Sequence, residues 1–236
     1  MVQFDDDTLR KAVEMWHKDE GEAKRRYGHI SNWDTSKATN MCRLFQGAKC
    51  FNEPLDSWDT SKVTTMWGMF HGAKYFDQPL ASWDTSQVTD MGRMFFHATC
   101  FDQPLASWDT SQVTNMERMF TCAHSFNQPL KSWDTSKVTT MEGMFWSASS
   151  FNQPLNSWRT SKVTNMMCMF HSATKFNEPL DHWDISSVPH KHENGLKDMF
   201  RGALAYEFSP LDPIDKSAYI WQSTKDDYIP GHICKR

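Results

Sequence analysis

Six aspartates recur at one place in a repeated Trp-Asp-Thr-Ser phrase, and a row of carboxylates is chemistry that can hold cations such as Ca²⁺. They are Asp34, Asp59, Asp84, Asp109, Asp134 and Asp184. The alternative is structural, because an aspartate before Thr-Ser forms a turn whose carboxylate accepts backbone N–H groups two residues on. Every copy of a turn needs the same residue, so the identical column favours the turn.

Arg159 interrupts this column between Asp134 and Asp184 of the neighbouring copies. Aspartates stacked side by side repel one another by about 1 kcal/mol each at a solvated surface. An arginine between two of them replaces both repulsions by modest attractions. We interpret Arg159 as a substitution within a structural turn and not as a lost catalytic acid.

No other constellation indicates catalysis. The chain has no glycine-rich phosphate loop, no G-x-S-x-G and no H-E-x-x-H. Its six cysteines lack Cys-x-x-Cys spacing. His190, His192 and Glu193 form the tightest group of metal-ligand types, but a single His-x-His-Glu in an insertion is a weak metal signal. The sequence predicts a protein that is not an enzyme and has no metal or cofactor.

A 25-residue repeat places these residues. Its landmark tryptophans are Trp33, Trp58, Trp83, Trp108, Trp133, Trp158 and Trp183. A unit this short cannot bury a core alone, so the copies must stack on one another. We expect residues 1–30 to form a helical cap, residues 31–205 the repeats with an insertion at 189–195, and residues 206–236 a second cap.

Columns that stay apolar in nearly every copy predict the buried face. In the second copy they are Phe51, Leu55, Trp58, Val63, Met66, Met69, Phe70 and Ala73. The last four fall at helical spacing, whereas residues 51–61 have no helical period and resemble an extended segment. The pattern predicts an α/β repeat solenoid shaped like a leucine-rich repeat, with one short strand and one short helix in each of about seven coils.

The composition and charge of the chain limit the classes of molecule that it could bind. The net charge of −4 and the pI near 6.2 argue against nucleic acid. The apolar runs are too short for a membrane span, and the start of the chain has no signal-peptide pattern. We expect a monomer.

Columns that vary between copies are those that the fold leaves free, and we refer to one set as the variable face. It comprises Trp67, His71, Arg93, Phe96, Arg118, Trp146 and His171. On the predicted helices these positions share an outward side. Because aromatic residues and arginine anchor many interfaces, the variable face is predicted to bind a protein partner. Scattered surface hydrophobes are the alternative.

The phrase FNQPLNSW-(D/R)-TSKVTNM followed by MF and A resembles the Mycoplasma-type 25-residue surface repeat, a family of unknown function grouped with BspA-like leucine-rich-repeat proteins. The resemblance covers about residues 8–205. It implies an adhesin-like scaffold, secreted or at the cell surface, that recognises another protein without catalysis. A carbohydrate- or calcium-binding surface built on the Asp-Thr-Ser side is the alternative function.

Overall fold

A computed structural model describes residues 2–189 and 195–207 of the protein. The described chain begins with helix α1, Asp6–Lys18, continues into helix α2, Glu20–Tyr27, and then makes a 3₁₀ turn over Ile30–Asn32. The repeats follow as stacked layers of turns. The predicted insertion ligands at 190–193 and nearly all of the predicted second cap lie outside the described residues.

Helix α1 is amphipathic, as its sequence spacing predicts. Asp5 caps the helix by accepting a hydrogen bond from the Thr8 N–H, and acidic residues follow in the first turn, where the helix dipole favours negative charge. The buried stripe comprises Leu9, Ala12, Val13 and Trp16. This stripe places the helix over the first repeat, where the Trp16 and Trp33 rings meet edge to face at 5.8 Å.

Parallel backbone bridges join the first six repeats to one another. The bridged residues are Asn40, Thr65, Asp90, Asn115, Thr140 and Asn165, each paired with its counterpart one repeat away. Every bridge is a single isolated pair, and no longer strand is present in the described residues.

The predicted short helix in each coil is wrong. In the second repeat the N–H groups of Met66, Gly68, Phe70 and Gly72 donate to carbonyls of the third repeat. The alternating N–H groups donate three residues back, as in tight turns. Gly68 and Gly72 have φ of +61° and +73°, a left-handed conformation that an α-helix cannot contain. Apolar residues at i, i+3, i+4 and i+7 therefore mark the buried side of successive turns.

The predicted short strand is also wrong, so the fold is not an α/β solenoid of the leucine-rich-repeat kind. Within the second repeat, the Trp58 N–H donates to the Leu55 carbonyl and the Val63 N–H to the Thr60 carbonyl, which folds this segment into turns. Side chains make its links between repeats: the Trp83 indole donates to the Leu55 carbonyl at 2.9 Å, and the Thr60 hydroxyl donates to the Asp84 carbonyl at 2.9 Å.

The core consists of aromatic columns that run through the stack, and the predicted inward columns are confirmed. Tryptophans of neighbouring repeats stack nearly parallel with ring centroids 6.4 Å apart, as between Trp108 and Trp133. Two phenylalanine columns run beside them, with Phe70 and Phe76 of adjacent columns 4.0 Å apart. Met66, Met69, Val63 and Leu55 have no exposed surface. Because each ring packs on rings above and below, the burial that stabilises one repeat depends on its neighbours.

Candidate functional site

The residues of the variable face make side-chain contacts along the stack, although turns rather than helices position them. One row of contacts runs from Trp67 to Glu142, and two separate histidine–aromatic pairs stand in a third column. The residues of the variable face thus stand in three columns of the turn-rich segment, and each contacts a side chain one repeat away.

Trp67 lies between two arginines of the neighbouring repeats. The guanidinium carbons of Arg43 and Arg93 lie 4.4 Å and 5.5 Å from its ring centroid, which is cation–π distance on both sides. Both arginines adopt positive φ. A Cβ atom added to Gly92 would lie 2.9 Å from Trp67 Cδ1, so glycine at position 92 makes room for the indole.

Ion pairs continue the row beyond Arg93. Its Nη2 lies 2.7 Å from Glu117 Oε1, and Nη2 of Arg118 lies 2.6 Å from Glu142 Oε1. Glu142 also accepts a hydrogen bond from Asn165 Nδ2 at 3.0 Å. The side chains of Arg118 and Glu142 are only 13% and 17% exposed, so this pair is better shielded from solvent than an ordinary surface salt bridge. Contacts within the chain therefore fix the positions of these charged side chains.

Histidine–aromatic contacts form the parallel edge of the face. The His71 and Phe96 rings lie 4.6 Å apart, and those of Trp146 and His171 lie 5.0 Å apart. Burial, with smaller contributions from His97, Arg93 and Arg43, lowers the pKa of His71 to about 4. Burial likewise lowers the pKa of His171. Both rings are therefore held towards the neutral form, which suits them for stacking.

Exposure on the variable face is lower than the sequence indicates. Phe96 is 7% exposed, and Trp67, His71 and Trp146 are half-buried. The sequence reasoning did not select Arg43, Glu117 or Glu142, which complete the row. The signal was present, because a glutamate follows Arg93 and Arg118 at a spacing of 24 residues, which the stack converts into contact.

The aspartate column forms the turns that the sequence favours. Asp59 Oδ1 accepts the Ser61 N–H at 3.0 Å and the Ser61 hydroxyl at 2.7 Å. The bond from the serine N–H recurs in all six copies. Hydrogen bonds from Ser61 lower the pKa of Asp59, and hydrogen bonds from Ser136 lower that of Asp134. One oxygen of each carboxylate is thus committed to its own turn.

Metal-ligand side chains are dispersed. No group of three or more His, Cys, Asp or Glu side chains in the described residues is arranged to hold a metal ion. Cys42, Cys50, Cys100 and Cys168 are free thiols, and burial raises the pKa of Cys168 to about 12. Neither helix in the described residues has the length and apolar character that crossing a bilayer requires.

A constant set of columns that stacks, and a second set that varies along one face, together define a repeat protein. The chain belongs to the family described as "Mycoplasma protein of unknown function, DUF285", which matches residues 14–121 and 101–211. The predicted resemblance to a Mycoplasma-type repeat is thereby confirmed, whereas the relation to BspA-like proteins stays a prediction. No curated protein matches the chain. No solved structure matches it either.

Proposed function

We propose that the protein is a non-enzymatic scaffold whose variable face binds another protein. One observation carries the proposal: each of the seven variable residues, spread over 105 positions of the sequence, contacts a side chain one repeat away, and together they occupy three columns of one turn-rich segment. In the inward columns, side chains are repeated from copy to copy for stacking. On the variable face they differ from copy to copy.

The composition of the variable face suits protein recognition. Arginine, tryptophan and phenylalanine are enriched at the centres of interfaces, where they supply most of the binding free energy. Trp67 and Trp146 keep part of their rings accessible while neighbouring side chains hold them in place. Side chains already ordered in the free protein lose little conformational entropy on binding, which favours affinity.

The Asp-Thr-Ser side supports the alternative function less well. Its aspartates each commit an oxygen to a local turn, and its first threonine column is buried, with Thr60 only 2% exposed. Side chains used for folding are repeated in every copy and offer a partner no distinguishing pattern. We therefore place the alternative, a carbohydrate or calcium surface, second.

The test compares three immobilised forms of the protein as baits in extract of the source organism. They are the wild type, the double variant Trp67→Ala/Trp146→Ala, and the control Tyr75→Ala, which removes a 50% exposed aromatic ring outside the variable face. Quantitative mass spectrometry measures each captured protein.

Support is a protein that wild type and Tyr75→Ala capture equally and that the double variant captures about tenfold less, the change expected when interface anchors are lost. Circular dichroism must show that the double variant remains folded at the temperature used. Equal capture by all three baits would overturn the proposal.

A further inference from the structure

A groove between the fifth and sixth repeats opens on the Asp-Thr-Ser side, away from the residues of the variable face. It has a volume of about 290 Å³ and is lined by Lys131, Ser132, Trp133, Asp134, Thr135, Ser157 and Arg159. We propose that this groove and the cations beside it bind an acidic segment of a protein partner in extended conformation.

Two cations in the groove have no hydrogen-bonded or ion-paired partner in the described chain, although the charge of Arg159 adds to the hydrogen bonds from Ser136 in lowering the pKa of Asp134. The Lys131 ammonium and the Arg159 guanidinium make no hydrogen bond or ion pair with a described residue, and both residues are exposed. Asp134, the one carboxylate of the groove, already accepts the Ser136 N–H at 2.9 Å. The unsatisfied donors therefore outnumber the acceptors that the groove provides.

Two further exposed lysines enlarge the positive patch. Lys137 follows Asp134 in the same turn and reaches Gln112 Oε1 at 2.7 Å, and Lys162 occupies the same column one repeat later. This side of the fifth and sixth repeats thus carries four cations against Asp134. The protein as a whole has a net charge of −4, so the patch is a local reversal of sign.

The same columns elsewhere in the chain show that the patch is not a requirement of the fold. In the third and fourth repeats they hold Ala81, Asp84, Gln87, Ala106, Asp109 and Gln112, which include no cation. An equivalent groove of about 380 Å³ lies between the first two repeats, with Asp59 in the place of Arg159. The backbone forms the groove in both places, and the side chains alone give it opposite charge.

Spacing and chemistry favour an extended acidic peptide. The ring centroids of Trp133 and Trp158 lie 6.4 Å apart. These tryptophans directly precede Asp134 and Arg159 in the sequence. Alternate side chains of an extended chain point the same way about 6.6 Å apart. Glutamates at every second position of a peptide laid along the stack therefore match the repeat spacing. The planar guanidinium of Arg159 is suited to pair with a carboxylate through two hydrogen bonds.

The test measures binding of a fluorescein-labelled (Glu-Ser)₄ peptide by fluorescence anisotropy, with (Gln-Ser)₄ as the uncharged probe. Wild type is expected to bind the glutamate peptide at least about tenfold more tightly, with an affinity that falls as salt rises. Lys131→Ala/Arg159→Asp is expected to lose about tenfold, because it restores residues that other repeats carry in these columns.

Lys175→Ala is the matched control, since Lys175 is exposed and lies outside the patch. It is expected to bind the peptide as wild type does. Equal binding of the two peptides by wild type would overturn the proposal, as would an equal loss in Lys175→Ala. A heparin hexasaccharide that binds the patch while the glutamate peptide does not would assign it to sulfated glycan and also overturn the proposal. The variable face remains intact in all variants, so these outcomes leave the function proposed above unaffected.

Discussion

The Asp6 carboxylate accepts a hydrogen bond from the Thr39 N–H at 2.6 Å and so takes the place of a repeat that is missing before the first one. In the second repeat the Thr64 N–H donates to the Thr39 carbonyl, and the same bond recurs at each later boundary through Thr164. Asp6 also accepts from the Asn40 N–H and the Thr39 hydroxyl. One side chain of α1 thus satisfies the backbone donors that the stack leaves open at its beginning.

Asp6→Ala should destabilise the protein by about 1–3 kcal/mol, because backbone donors lose a charged acceptor. Asp7→Ala is the matched control, since Asp7 is exposed in the same helical turn and makes no such bond. Urea unfolding measures the difference. Equal stability of the two variants would show that Asp6 does not terminate the stack.

Acid should weaken the Asp6 contact. Burial raises the pKa of Asp6, but the hydrogen bonds from Thr39 and Asn40 outweigh it, so that the folded-state pKa lies below the ordinary value. The stabilisation is complete above the unfolded-state pKa and is lost as pH falls through the folded-state pKa. The difference in stability between wild type and Asp6→Ala should therefore shrink below about pH 4, the ordinary aspartate pKa.

Ser147→Gly should stabilise the protein by about 0.5–1 kcal/mol, because Ser147 has φ of +55° and glycine adopts this conformation without strain. Gly47, Gly72 and Gly202 occupy the same column in other repeats. Ser150→Gly is the control, since Ser150 is not among the residues with positive φ. This substitution should lower the free energy of unfolding by a similar amount. Thermal unfolding measures the stability of both variants. A Ser147→Gly variant that is less stable than Ser150→Gly would contradict the turn geometry.

The sequence predicts what is buried better than how the backbone runs. Phe70 and Met66 are recognisable as core residues because their columns stay apolar, a property that survives any local conformation. The sequence does not reveal the turns, because Arg43, Arg93 and Arg118 adopt the left-handed conformation at positions where glycine would have indicated a turn. The sequence also does not reveal which residues contact the variable face within the chain. Glu117 is distant from Arg93 in sequence, and the two residues meet only because the repeats stack.

His71 should make stability depend on pH in the mildly acidic range. Its folded-state pKa of about 4 lies below the ordinary value of 6.5. Between these values the unfolded chain binds the proton more readily, so the free energy of unfolding falls as pH is lowered and is fully retained above about pH 6.5. His71→Phe cannot titrate and should show a smaller loss between pH 7 and 4.5 in urea unfolding. Identical losses of unfolding free energy in wild type and His71→Phe would show that another group causes the pH dependence.

Arg159→Asp should change the free energy of unfolding by no more than about 1 kcal/mol, the scale of exposed charge pairs. Arg159 is exposed, and its N–H donates to the Thr135 hydroxyl at 2.8 Å through the backbone, a contact that aspartate preserves. The aspartate regains the turn acceptor that the other repeats use. A loss of several kcal/mol in urea unfolding would show that the arginine side chain is needed for folding.

The most direct test of the proposed function is the affinity of the purified captured partner for Trp67→Ala/Trp146→Ala, measured by isothermal titration calorimetry beside wild type and Tyr75→Ala. Loss of the two cation–π contacts of Trp67 lowers stability by about 1–2 kcal/mol, so the titration is made well below the melting temperature of the double variant. We predict a Kd about tenfold or more higher for the double variant and unchanged for Tyr75→Ala. A folded double variant that binds with wild-type Kd would contradict the assignment of the variable face.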